Sequence, residues 1–216
     1  MGVRVAVLTN ASLLWLEDVR SDLLEADLVS IKIDAVSEGL WRFINRPHKE
    51  LDTGKVLEGV EIFSEGFNGT LIPETMVIAE KFHSYRDEAK KIASFLEKLR
   101  NLDKAYIAIP VRPPAESWVE PPEESLIIEF YTVFTEELGS ARVELLIAPS
   151  GEIYGDISRP IESIIFTASI HPIKEKDLEE FLMKSGVDWN IVKELLSQGK
   201  LTKVIYRGET FYIANR

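Results

Sequence analysis

Cysteine is absent from the 216 residues, so the chain forms no disulfide and cannot on its own supply the thiolates of an iron–sulfur cluster. Histidine is scarce, and His83 and His171 each stand without a second His or a carboxylate at metal-ligand spacing, so neither is assigned to a metal. Gln198 is the only glutamine, which with the many Glu and Lys residues leans toward a heat-adapted source. Long hydrophobic runs are missing as well. The richest segment, Ile161 to Ile170, carries Glu162 and several hydroxyl residues and falls short of the roughly 20 apolar residues of a membrane span. There is no glycine-rich phosphate loop and no Gly-x-Ser-x-Gly elbow. Basic residues are in deficit, with 25 Lys and Arg against 36 Asp and Glu, a net charge of −11. A surface of that sign repels a polyanion as a whole, which argues against unspecific nucleic-acid binding. No basic and apolar secretory pattern follows Met1, and together with the absent cysteine this gives a cytoplasmic expectation.

What is present is a 45% hydrophobic complement, enough for a packed core. The first 150 residues alternate β-branched runs with amphipathic stretches, the order of βα units and a parallel sheet. Strands are expected at Val3 to Leu8, Leu28 to Ile33, Thr70 to Ile78 and Tyr106 to Val111, with Val143 to Ala148 able to add a fifth. Helices are expected from about Ser12 to Glu25, near Leu40 to Phe43, from Asp52 to Glu65, from Tyr85 to Arg100, and from Pro122 to Leu138 with proline in the first turn. Pro149-Ser150-Gly151 reads as a boundary between a domain of residues 1–150 and another of 151–216. Beyond it the pattern changes. Short helices are expected at Ile161 to Ser169, Glu175 to Lys184 and Asp188 to Gln198, the last capped by Asp188 and closed by Gly199, then a hairpin of Leu201 to Tyr206 and Thr210 to Ala214. Three helices and a hairpin make a winged-helix-like pattern. From Pro160 onward the eight basic and eight acidic residues cancel, so the whole net charge lies earlier in the chain.

In parallel βα arrangements ligands gather beyond the carboxyl ends of the strands. Those positions are polar: Thr9-Asn10-Ala11-Ser12, Asp34, Glu80 with Lys81, and Arg112. Lys32 and Glu74 interrupt otherwise apolar strands, where a charge is costly unless paired or used. The two could pair with each other, as a structural salt bridge or at an exposed edge, or could face a ligand. Thr9 to Ser12 taken alone is a turn and helix cap, and Asn45-Arg46-Pro47-His48 a break between helical segments.

At these residues a family resemblance enters. The runs Val5-Ala6-Val7-Leu8-Thr9-Asn10-Ala11-Ser12-Leu13-Leu14, Ala26-Asp27-Leu28-Val29 through Ile33-Asp34-Ala35, and Phe43-Ile44-Asn45-Arg46-Pro47-His48 resemble a radical S-adenosylmethionine (SAM) group related to the tRNA wyosine-forming synthase. Pro73-Glu74-Thr75-Met76-Val77 and Ile109-Pro110-Val111-Arg112-Pro113-Pro114-Ala115-Glu116-Ser117-Trp118 agree in order and spacing. The resemblance covers nearly the whole chain, since some members append a winged-helix-like tail. It implies that the four strands match the third to sixth of a six-stranded partial barrel, so that the fold is α/β, a half barrel of about four βα units followed by a small winged-helix-like domain. The portion without a counterpart here is the Cys-x-x-x-Cys-x-x-Cys loop that binds the cluster and the glycine-rich segment that holds the methionine end of SAM.

The resemblance further implies that Asn10, Lys32, Asp34, Glu74 and Arg112 line the cofactor side of the cavity, with Lys32 standing where many relatives carry a ribose-contacting Ser. No catalytic residue and no metal ligand is assigned. SAM and a four-iron four-sulfur cluster are expected only if a cysteine-bearing half is supplied elsewhere, upstream or on a partner chain. The leading expectation is the rear part of a radical SAM oxidoreductase-like protein, tied by resemblance to tRNA modification and not competent alone. The alternative is a non-catalytic scaffold that uses the winged helix for protein or nucleic-acid contact. In that helix only Lys193 stands against Asp188 and Glu194, so protein contact is favoured, while Lys200, Lys203 and Arg207 of the hairpin leave a weak nucleic-acid option. An unpaired first strand also leads us to expect a homodimer of the isolated chain.

Overall fold

Alternating β-branched and helical segments fold into five parallel strands with helices between them. The structure is a computed structural model that describes residues 2–79, 85–146, 153 and 156–215. The strands are β1 (Ala6–Thr9), β2 (Leu28–Lys32), β3 (Thr70–Met76), β4 (Ala105–Ala108) and β5 (Val143–Leu146), in the spatial order β1-β2-β3-β4-β5. Every neighbouring pair is parallel. The connecting helices are α1 (Glu17–Leu23), α2 (Glu38–Asn45), α3 (Thr53–Gly66), α4 (Tyr85–Glu97) and α5 (Glu124–Leu138). The chain divides into two compact units, Met1–Pro110 with Trp118–Ile147, and Val111–Ser117 with Ala148–Arg216.

Side chains on successive strand residues point to opposite faces, and here the two faces differ. Val29, Ile31, Leu71, Ala105 and Ile107 pack on one face against Val60 and Phe63 of α3, Ile92 and Leu96 of α4, and Phe130 and Phe134 of α5. On this side Phe63 and Phe67 stack at 4.8 Å, and Phe130 lies 5.5 Å from Tyr85 and 6.1 Å from Phe134. Helix α3 approaches so closely that a Cβ on Gly59 would stand 2.4 Å from the Leu14 carbonyl oxygen. The other face of the sheet carries Leu8, Ser30, Lys32, Glu74, Met76 and Tyr106.

Several boundaries differ from the sequence reading. The first strand begins at Ala6 instead of Val3. The first helix begins at Glu17 instead of Ser12, because Ala11 takes a left-handed φ of 61° and residues 12–15 are spent on a turn. The helix expected to open on Pro122 begins at Glu124, with Glu123 as its N-cap, so both prolines precede it. Val143–Leu146 adds a fifth parallel strand to the four expected units, and it pairs with β4. That places it at the edge opposite β1, so it does not fold back over the first strand.

The second unit contains α6 (Pro160–Ile170), β6 (Ile173–Lys174), α7 (Glu175–Ser185), α8 (Asn190–Ser197), β7 (Leu201–Tyr206) and β8 (Glu209–Ala214). Proline opens α6, where its missing N–H costs nothing. Asp188 accepts the Asn190 N–H at 2.7 Å ahead of α8, and Gly199 with φ +67° follows it. Arg207 and Gly208, at φ 52° and 78°, make the tight turn of the hairpin. The two-residue strand β6, invisible to periodicity, joins the sheet in the order β6-β8-β7. Ile164, Leu178, Phe181, Val192, Leu195 and Tyr212 form a core separate from the first. Pro149-Ser150-Gly151, Ala148, Glu80, Lys81 and His83 lie outside the described residues.

Candidate functional site on the open face of the sheet

Strand register turns isolated polar residues into a row. Lys32 stands opposite Glu74, Glu74 opposite Tyr106, and Tyr106 opposite Glu144, so one line of side chains crosses four strands on the face away from the helices. At the ~4.8 Å spacing of neighbouring strands the row extends about 15 Å. Leu8 and Ser30 flank it toward the amino ends of the strands, Met76 and Ala108 toward the carboxyl ends. Leu8 is 73% exposed and Leu146 40%, so the two margins of this face are accessible.

Within the row the groups pair. Lys32 Nζ donates to Glu74 Oε1, and both side chains remain partly accessible, Lys32 more than Glu74. The pairing expected as one use of these charges is present. Lys104 Nζ reaches Glu144 Oε1 at 2.8 Å. Burial pushes the Tyr106 phenol up, and the neighbouring Glu144 carboxylate adds to the rise.

Just past the end of β2, Asp34 holds the best-defined position. Its Oδ1 accepts the Met76 N–H at 2.8 Å, and its Oδ2 accepts from Asn45 Nδ2 at 2.6 Å. Burial holds the Asp34 carboxyl above the ordinary carboxylate range, against the pull of the two hydrogen bonds and of Lys32, while Glu74 pushes it further up. Asn45 is the last residue of α2, and Arg46 at φ 44° ends the helix there in a left-handed cap. The loop between Asp34 and α2 is fixed from α4: Glu88, 2% exposed, accepts the N–H groups of Val36 at 2.6 Å and Ser37 at 2.7 Å and the Ser37 hydroxyl at 2.5 Å. The carboxylate satisfies donors at the start of α2 that the helix itself cannot.

Of the residues singled out in sequence, Lys32, Asp34 and Glu74 come together. Asn10 follows β1, where its Oδ1 accepts the Ser12 N–H at 3.1 Å while Thr9 Oγ1 accepts the Ala11 N–H at 3.2 Å, a turn held by its own side chains. Arg112 belongs to the second unit, where its charge helps burial push the His171 imidazole down and partly offsets the rise that burial gives Asp177. Asn45, Tyr106, Glu144 and Glu88 were not assigned to the site from sequence. Asn45 sat inside a quoted motif, but its use depends on where α2 stops, and Tyr106 joins the row only once register is known.

Among the described residues no three His, Asp or Glu side chains gather as a metal would require. The donor set does not fit an iron–sulfur cluster, since no thiolate exists in the chain.

Comparison with known proteins places this geometry. A domain of pyruvate-formate lyase-activating enzyme from Bacteroides vulgatus superposes with a TM-score of 0.50 at 14% identity, covering 68% of this chain and 83% of that one. A radical SAM methyltransferase from Sphaerobacter thermophilus gives 0.50 at 14% identity over 67% of this chain and 40% of the other. The chain shares its fold with these two proteins over about two thirds of its length. No family model matches the sequence. The chain is nevertheless 39% identical over 214 residues to a UPF0026 protein of Methanocaldococcus jannaschii, an alignment covering 99% of this chain and 66% of that protein. The chain therefore spans just under two thirds of that relative's length. The row from Lys32 to Glu144 lies on one face of this sheet, and the Asp34 carboxyl follows the end of β2 beside it. Among the described residues, no helix is long and apolar enough to cross a membrane.

Proposed function

We propose that this chain is the rear part of a radical SAM system of the group related to the wyosine-forming synthase, acting with a cysteine-bearing half that supplies the cluster. The observation that carries the reading is the sheet itself. Five parallel strands, in a fold similar to a radical SAM methyltransferase, run from β1, which pairs with β2 on one side, and one face of the sheet carries a row of polar side chains. A bound cluster and SAM would supply radical chemistry, and this chain's residues would orient the nucleoside end of the cofactor and the substrate. Asp34, braced by Asn45 and the Met76 N–H, Lys32 and Glu74 as a pair, Asn10 at the end of β1, and Arg112 are the residues proposed to face them. A role in tRNA modification is the finer form of this proposal. The isolated chain would cover the free edge of β1 by pairing with a second copy, a homodimer that the cysteine-bearing half would displace.

Anaerobic reconstitution tests the reading. The chain alone should take up no stoichiometric iron and sulfide and leave SAM intact, while the chain with a cysteine-bearing segment encoded beside it should take up iron and sulfide and cleave SAM. An unrelated gene upstream, together with no complex with any cysteine-bearing protein, would sink it.

The second reading, a binding scaffold, is supported by the order α6-β6-α7-α8-β7-β8, in which three helices and a hairpin follow as the winged-helix reading expects. Helix α8 and the hairpin would then meet a protein partner. Deleting residues 156–216 should abolish partner capture in that case and leave the first unit folded.

A further inference from the structure

The first unit is strongly acidic, yet α4 and the residue that follows it gather lysines in one place. Lys90, Lys91 and Lys98 line an open cleft of about 630 Å³ together with Ser94, Phe95, Val36 and Asp87. Asp87 is its single acid, one turn before Lys90 and Lys91 on the same helix, so three cations stand against one anion. Among the described residues Lys90 and Lys98 have no ion-pair partner, whereas Lys91 donates to Ser37 Oγ at 3.0 Å and stands 3.8 Å from Glu88 Oε2. Lys98 is the first residue past the end of α4, so it stands about 12 Å from Lys90 along that helix's axis, at a rise of about 1.5 Å per residue. Phe95, 7% exposed, and the half-buried Val36 supply an apolar floor.

We propose that this cleft is a docking site for an acidic peptide segment of a partner protein, with apolar side chains between its carboxylates. Three features select that ligand. Lysines strung over about 12 Å match the carboxylates of roughly four extended residues better than the compact charge of one phosphate. The apolar floor accepts a Leu or Phe side chain, which a sugar–phosphate backbone does not offer. A net charge of −11 opposes a long polyanion at a distance, while a short segment with a few carboxylates meets mainly the local lysines within a Debye length of about 10 Å.

The probe is a fluorescein-labelled hexapeptide, Glu-Leu-Glu-Glu-Leu-Glu, titrated into the full chain by anisotropy and followed in the amide NMR spectrum. Saturable binding is expected, with shifts at Val36, Ser94 and Phe95. It should weaken about tenfold in the Lys90→Glu/Lys98→Glu double variant, since exposed charge pairs contribute modestly each, and should fall with added salt. Lys193→Glu, on the second unit, should leave it unchanged. Both lysines are exposed, so the double variant should keep the parent melting temperature; Lys90→Gln/Lys98→Gln provides a milder version. No saturable shift at these amides would overturn the proposal. So would tighter binding of hexauridylate at the same amides, which would assign the cleft to nucleic acid, or a dimer lost in the double variant, which would assign it to self-association. None of these outcomes bears on the polar row of the sheet.

Discussion

Lys32 and Glu74 stand directly opposite one another on adjacent parallel strands and close an ion pair within the polar row of the sheet. Glu74 is the less accessible partner, so removing the lysine should cost more than the pair itself contributes. Lys32→Met should destabilise the first unit by about 1–2 kcal/mol, while Lys32→Met/Glu74→Leu should recover most of the loss, with a coupling of about 1 kcal/mol. Urea unfolding of the four proteins of the cycle gives the number. Strictly additive losses would show that the pair is held apart in solution.

Asp34 titrates above its ordinary value of 3.8 because burial opposes its charge. The folded state therefore binds its proton more tightly than the unfolded state. The protonated form supports folding below pH 3.8, and that support is lost as pH rises from there through the folded pKa. Asp34→Asn keeps the shape and the acceptor for the Met76 N–H, and should melt higher than the parent at pH 7 but equally at pH 3. Thermal melts at the two pH values decide it. Lys32→Met should also move the Asp34 titration further up in a carboxyl-resolved NMR series.

Glu88 is a buried carboxylate that accepts from two backbone N–H groups and one hydroxyl. Glu88→Ala should cost about 3 kcal/mol, from two charge-assisted bonds at about 1.5 kcal/mol each. It should also speed hydrogen exchange at Val36 and Ser37 before any other amide of α2. Unchanged exchange there would show that the loop holds itself.

Gly59→Ala places a methyl against main chain at Leu14 and Trp15, which cannot rotate away. The loss should be about 3 kcal/mol in chemical denaturation, the upper end of the usual overpacking cost. Gly66→Ala in the same helix meets only a Leu24 methyl at 3.7 Å and should leave stability unchanged or slightly raised.

Elements of this fold were legible wherever one face of a segment is buried. The apolar stripes of α3, α4, α7 and α8 and the β-branched cores of β2 and β3 follow from periodicities of 3.6 and 2. What escaped the sequence depended on contacts between distant segments. Glu88 looked like any solvent-facing acid of α4, because the donors it satisfies are about 50 residues away. Tyr106 and Glu144 read as ordinary strand residues until register aligned them with Glu74. The start of α1 was misplaced because Leu13, Leu16, Val19 and Leu23 suggest helix by spacing, while Ala11 turns the chain first. Strand β6, two residues long, is too short for any period.

The order β1-β2-β3-β4-β5 means that each strand, once synthesised, finds its neighbour already made. No strand of the sheet waits for a later segment to be inserted between it and its predecessor, so this unit can assemble as it leaves the ribosome, one βα unit after another. Damage should then be directional. Losing β5 removes a terminal addition, whereas losing β2 separates β1 from every other strand and halts growth at its first step.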